Sequence, residues 1–271
     1  RTLEHMLRSF MVIALSFSIC LADIFSEANA LQAQGRLTEA VAGYERCVAL
    51  SPLDASAWLD LGLARQAHGN LISSVHAVAY AHQLQPDHPE AATALAYVLQ
   101  VDGRVGEARR AYEQAIRLRP SDAHVYFNYG TALEALSKPK SALNAYQAAL
   151  SLGMPEEARV HSNMGGVLMV LGELEASRDA YAEAVEADSE FADGWYNLGN
   201  AQLALREFDA AEEALRHALR LAPQHGKAAR KLEQVAAERL KPAQQAFEAG
   251  HKLVRLKDGI DVCGSDADCL L

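Results

Sequence analysis

Three asparagines, Asn128, Asn163 and Asn197, stand 35 and 34 residues apart. A carboxamide donates through its nitrogen and accepts through its oxygen, so one Asn can bond both the N–H and the C=O of a polypeptide backbone. Asn is a mediocre helix former, and packing or solubility alone would favour other residues. Each Asn belongs to a stripe spaced i, i+3, i+4, i+7, which falls on one helix face. The stripes are His124, Phe127, Asn128 and Thr131, then Arg159, Ser162, Asn163 and Gly166, then Asp193, Tyr196, Asn197 and Asn200. Two roles are open to the column of asparagines: a generic, solvated position, or a ladder that grips a ligand. Lys227, Arg230 and Lys231 take the same slots in the next segment. They read either as the polar outside of a terminal helix or as a local basic anchor for an acidic ligand.

The elements that must position these residues follow from a period. "AWLDLGLA" starts at 57, "VYFNYGTA" at 125, "VHSNMGGV" at 160 and "GWYNLGNA" at 194. Pro52, Pro86 and Pro120 are 34 apart, and Pro223 lies three periods plus one residue beyond Pro120. The extra residue falls in "LGMPEEAR", where Pro155 is displaced. Such a period is the signature of a repeat architecture. It sets six repeats at 21–54, 55–88, 89–122, 123–157, 158–191 and 192–225. Within each, two segments of 12–14 residues carry no internal Gly or Pro run, which predicts two helices. Gly35, Gly69, Gly103 and Gly172 mark the turn between them, and the prolines close the repeat.

The first helix of a repeat carries a packing stripe such as Trp195, Leu198, Gly199 and Gln202, or Tyr126, Tyr129, Gly130 and Leu133. The second alternates small and large, as in Ala108, Tyr112, Ala115 and Ala142, Tyr146, Ala149. Small residues at fixed places let two helix backbones approach, and large ones fill the gaps. A lone hairpin cannot bury such a face, so stacked neighbours must.

These phrases resemble the tetratricopeptide repeat family, whose pattern is W-x2-L-G-x2-Y…A-x3-F…P. "WLDLGLAR", "YFNYGTAL" and "WYNLGNAQ" carry its first half; "EAVAGYERCVALSP", "EARRAYEQAIRLRP" and "SALNAYQAAL" carry its second. Repeat one departs at Ile24, Glu27 and Ala28, repeat two at Ser74 and Val78, and repeat five at His161, Ser177 and Ser189. The resemblance implies an all-α fold, a right-handed α-solenoid of antiparallel helix pairs with the first helices lining a groove. It implies protein partners, held as an extended segment or a helix, and a scaffold or adaptor rather than an enzyme. The asparagine column resembles the ladder in the repeats of O-GlcNAc transferases, which keeps open a second reading: the recognition portion of a larger enzyme such as a glycosyltransferase. Ser26, Asp60 and Ala94 occupy the Asn slot in repeats one to three. The family's clamp for a terminal carboxylate is not expected there, since Phe25 and Ala94 replace its Lys and Arg and only Asn29 fits.

The net charge of −10 argues against nucleic acid as a partner. No Gly-rich phosphate loop, metalloprotease helix or nucleophile elbow is present, and no cofactor is expected. His76, His82 and His88 are six apart, which does not bring two onto one helix face, so no metal site is expected. Four cysteines are too few for a disulfide scaffold. A first residue of Arg is expected of a processed form or a fragment. Residues 1–20 are read as an N-terminal apolar helix, in which "SFMVIALSFSICLA", 9–22, is short for a membrane span. It fits a helix packed on the first repeat or on a partner, or an uncleaved signal or membrane anchor, so both a soluble and a membrane-associated or exported location stay open. "ANA", 28–30, resembles a signal cleavage site, but a cut there would remove most of the first helix of repeat one. Residues 226–257 are expected to form capping helices, with Pro242 opening the last of them, and 258–271 an acidic tail in which Cys263 and Cys269 are free thiols or close a small loop.

Overall fold

The computed structural model describes residues 21–248, 252–256 and 259–263. Among them are thirteen helices in tandem: α1 (21–33), α2 (Leu37–Leu50), α3 (Ala55–Ala67), α4 (Leu71–Leu84), α5 (Pro89–Val101), α6 (Val105–Leu118), α7 (Ala123–Ala135), α8 (Pro139–Ser151), α9 (Glu157–Leu171), α10 (Leu174–Ala187), α11 (Ala192–Ala204), α12 (Phe208–Leu221) and α13 (Gly226–Glu248). Within each of the chain's two bodies, helices pack against their neighbours in sequence as the antiparallel pairs of an α-solenoid. The chain divides into two compact bodies, Arg1–Met154 and Pro155–Leu271. The first holds α1–α8 and the second α9–α13. Residues 9–20, part of the N-terminal apolar segment, lie outside the described residues, as does Cys269.

Local sequence explains the helix ends. Asp54 opens α3 by accepting the Ser56 and Ala57 N–H groups, and Asp122 does the same for His124 and Val125 in α7. At the equivalent place His88 and His225 accept through Nδ1 from the N–H groups of Ala91 and Ala228. A side chain that caps the next helix therefore follows the closing turn of repeats one, two, three and six, and it satisfies an N–H the helix cannot. Glu156 and Phe191, before α9 and α11, make no such bond. The turn inside each repeat has one left-handed residue: Gly35, Gly69, Gly103 and Gly172, but also Ser137 (φ 55°) and Arg206 (φ 62°). Trp58 and Trp195 each donate their indole N–H to a carbonyl in the preceding turn, Pro52 and Ser189, at 2.8 Å.

The core is a row of small-on-large contacts between the two helices of each repeat. A Cβ added to Gly130 would lie 2.5 Å from Tyr146 Cε1; at Gly165 it would meet Tyr181 at 2.8 Å and at Gly199 Leu215 Cγ at 2.7 Å. Gly62 is crowded in the same way by Val78. Repeats one and three place Ala28 and Ala96 in this slot, both fully buried.

The C-terminal segment differs from expectation. A single helix, Gly226–Glu248, runs through Pro242, and a two-stranded antiparallel hairpin replaces the last expected helical turns and part of the acidic tail. Its strands are β1 (Lys252–Leu256) and β2 (Gly259–Cys263), with Leu256 opposite Gly259. The reason is local. Val254, Ile260 and Val262 are β-branched, and only two residues, Lys257 and Asp258, separate the strands, a hairpin-length connection.

Two outcomes test this packing. Gly130→Leu and Gly199→Leu should each cost on the order of 1–3 kcal/mol by overpacking, read as a lower midpoint in urea unfolding. Ser137→Gly should stabilise by about 0.5–1 kcal/mol, since it removes a Cβ from a left-handed position at the cost of some chain entropy; an unchanged or lower melting temperature would contradict it.

Candidate functional site

The stripe residues lie on the first helices of their repeats, and each body is described separately. In the first body the stripe slots at Ser26, Asp60, Ala94 and Asn128 fall on α1, α3, α5 and α7. Asn128 is half-buried, and among the described residues no other side chain bonds its amide. Its neighbours in the stripe are not all available. His124 is exposed. Thr131 accepts from Gln100 Nε2 at 2.8 Å and donates to the Asn128 carbonyl, while Gln100 in turn accepts from the Tyr112 hydroxyl. Phe127 corrects the sequence reading: it is buried, with its ring 5.7 Å from that of Tyr146. The cause is that α7 is covered by both α6 and α8, so its dry arc is wider than a single stripe. Tyr97 and Val101 of α5 are exposed on the other hand, which gives this body a more apolar first-helix surface.

Two carboxylates of the first body sit in unusual surroundings. Burial pushes the Asp60 carboxyl above its ordinary range, helped by the charge of Asp54. Burial also raises Glu134, opposed by the hydrogen bond it accepts from the Tyr146 hydroxyl. Asp60 thus fills, with a charge, the slot that holds an amide in repeats four to six.

In the second body Asn163 and Asn197 are half-buried on α9 and α11. Asn197 Nδ2 donates to Ser162 Oγ at 3.3 Å, so that amide also ties two repeats together. Arg159 is exposed at the start of α9. The terminal helix α13 supplies Lys227 and Arg230, both exposed, and the half-buried Lys231. These three, with Tyr196 and Gln234, line a recess of about 180 Å³. A second recess of about 360 Å³ shares Lys231 and Gln234 and adds Asn200, Leu203, Phe208 and Arg206, among others. The Arg206 guanidinium lies 5.2 Å from the Phe208 ring centre. Tyr196 is set by His225, whose ring is 5.0 Å away and whose Nε2 lies 3.0 Å from Asp193 Oδ1.

The structure therefore brings Tyr196, Asn200, Lys227, Arg230 and Lys231 to one surface of the second body. Sequence reasoning missed Gln234, Leu203, Arg206 and Phe208. Gln234 was within reach, because it continues the i, i+3, i+4, i+7 stripe from Lys227. The other three come from the end of α11, the turn after it and the first residue of α12, where no period points to a binding face. Among the described residues no group of three His, Cys, Asp or Glu side chains could hold a metal ion, and no helix is long and apolar enough to cross a membrane.

Tandem helix pairs with a small residue under a large one define the class: an α-solenoid repeat protein. Family models for the tetratricopeptide repeat match residues 25–89, 93–157, 130–190 and 192–225, and the chain belongs to that family. It is 29% identical over 155 residues to Protein FlbA of Caulobacter vibrioides, covering 57% of this chain and 26% of that protein. To the human Protein O-mannosyl-transferase TMTC3 it is 26% identical over 188 residues, covering 64% of this chain and 20% of that protein. The chain thus spans about a quarter and a fifth of these two relatives' length. Among solved structures it resembles YrrB, a TPR protein with an unusual peptide-binding site, with a TM-score of 0.59, 23% identity, and coverage of 69% of this chain and 96% of that one.

One substitution tests the charged slot. An Asp whose folded pKa is raised binds more protons folded than unfolded, so it lowers stability above that pKa, and the penalty fades as pH falls to the ordinary carboxylate range. Asp60→Asn should therefore stabilise the protein at neutral pH, by less than about 1 kcal/mol because the group is half solvated. The gain should vanish in acid, as read from melting temperatures across a pH series.

Proposed function

We propose that the chain is a non-catalytic interaction module that holds an extended polypeptide against the first-helix surface of its repeats. The observation that carries this reading is the second body's pair of adjoining recesses, where a polar row and an apolar floor lie side by side. A peptide offers alternating backbone amides and side chains, and such a surface meets both. Asn197 keeps its carbonyl oxygen for a ligand after donating to Ser162, and Asn200 lies on the wall of the larger recess. Asn128, Asn163 and Asn197 would each add hydrogen bonds worth about 0.5–1.5 kcal/mol net, sequence-blind because they address backbone. In the first body His124 and Asn128 are the corresponding contacts. The peptide-binding site named for YrrB supports the class of ligand.

A second reading, the recognition portion of a larger enzyme, is favoured by one observation: TMTC3, a transferase by name, matches this chain over a fifth of its own length. Under it the same surface would present an acceptor polypeptide to a catalytic domain elsewhere in the longer protein.

The test is a photo-crosslinking amino acid placed at Asn200 or His124, on first helices, and at Arg216, exposed on the second helix α12, each in the source cell. Covalent adducts with another polypeptide are expected from the first two positions and not the third. Adducts from Arg216 alone would move the binding surface to the second helices and overturn the proposal.

A further inference from the structure

The smaller recess is lined by three cations of one helix. Lys227, Arg230 and Lys231 stand within one turn of α13, and like charges at i, i+3 and i+4 repel. Elsewhere Arg65, Arg104, Arg119, Arg178 and Arg239 each meet a carboxylate, while described cations that meet none, such as Arg46, Arg117 and Lys138, do not line a recess with two others. Among the described residues none meets Lys227, Arg230 or Lys231; Arg230 Nε donates only to the Gly226 carbonyl, at 3.2 Å. Of the nearby acids, Asp193 is engaged with His225 and Glu238 with Lys241, and Glu233 of the same helix makes no ion pair with any of the three and does not line the recess. In a chain of net charge −10, three uncompensated cations around one concavity mark a place for an anion.

We infer that this recess is a subsite for a phosphoryl group carried by a polypeptide, a phosphorylated Ser, Thr or Tyr. The inference rests on the polypeptide-binding reading above and adds to it the identity of one ligand residue. Charge decides between phosphate and carboxylate. A phosphoryl group carries about −1.5 to −2 at neutral pH and offers three strong acceptor oxygens. Against three cations it leaves a surplus of about 1 to 1.5, whereas one carboxylate leaves about 2. The donors match the acceptors: the Arg230 guanidinium can bond two oxygens in parallel, and two ammonium groups approach the rest as point charges. The Tyr196 hydroxyl and the Gln234 amide, on the same wall, add neutral donors. The adjoining recess supplies the context. Leu203, Phe208 and Ala204 form its apolar part, so the residue beside the phosphorylated one is apolar.

The experiment uses the full chain, immobilised, and three synthetic peptide libraries that are degenerate around one central residue: phosphoserine, serine or glutamate. Retained peptides are measured by mass spectrometry, with vesicles containing a phosphoinositide as a separate arm. The phosphoserine library should be retained roughly tenfold or more above the other two, a difference that charge-assisted hydrogen bonds supply. An apolar residue should be enriched next to the phosphoserine. Lys227→Ala, Arg230→Ala and Lys231→Ala combined should bring retention down to the serine level while circular dichroism stays unchanged. Equal retention of the glutamate library would overturn the phosphoryl assignment, and so would undiminished binding by the folded triple variant. Capture of the vesicles alone would overturn it in favour of a lipid headgroup. Should no library be retained while crosslinks still form at Asn200, this inference falls and the polypeptide-binding reading stands. Should both fail, both fall.

Discussion

At the eighth place of every repeat, on its first helix, a Gly or Ala lies beneath a larger side chain sixteen residues later. The pairs are Ala28 with Tyr44, Gly62 with Val78, Ala96 with Tyr112, Gly130 with Tyr146, Gly165 with Tyr181 and Gly199 with Leu215. The distance between the two helices of a pair is set by this contact, because most of the glycines leave no room for even a methyl group. Everything built on the first helices inherits that spacing. Where the slot holds Ala, its partner tyrosine is still fully or almost fully buried.

A buried tyrosine needs a partner for its hydroxyl, and the repeats meet that need in a regular way. Tyr44 donates to Asn29 at 2.6 Å, Tyr112 to Gln100 at 2.7 Å and Tyr146 to Glu134. Each acceptor lies on the first helix of the same repeat, so the hydroxyl fixes the pair along its axis as the ring fixes it across. The consequence for the surface is direct. Gln100, once held by Tyr112, passes its amide to Thr131 on the next repeat, and a polar residue that faces a ligand in a stripe diagram is committed to holding repeats together. Asn197, which bonds Ser162, is in part committed in the same way.

The two bodies end up with different first-helix surfaces on one frame. In the first, Tyr97 and Val101 are exposed and a charge sits at Asp60. In the second, amides give way to the cations of α13, and Phe208 and Leu203 provide an apolar neighbour. The frame contributes position and the variable slots contribute chemistry. This division of labour is why a family assignment fixes the architecture of this chain far more tightly than its ligand.

The period, the helix pairs, the turns and the small-on-large slots were all legible in the sequence. They are local or strictly periodic, and a contact sixteen residues apart recurs often enough to be read by eye. The stripe from Lys227 to Lys231 was legible for the same reason. What the stripe diagram could not show is which polar residues are spent on neighbouring repeats and which faces are covered twice. Phe127 looked like part of an open surface because a helix wheel counts one dry side, while α7 has two packed neighbours. Thr131 looked available because its partner Gln100 is 31 residues away. The recesses depend on Arg206 and Phe208, which follow α11 through a left-handed turn whose non-glycine residue carries no period. The hairpin after α13 was hidden behind an acidic composition that reads as tail, although its β-branched residues and two-residue connection were there to be weighed. Sequence determined the repeating unit, because its contacts are close along the chain; tertiary structure alone decided which side chains remain for a partner, because that depends on contacts between repeats.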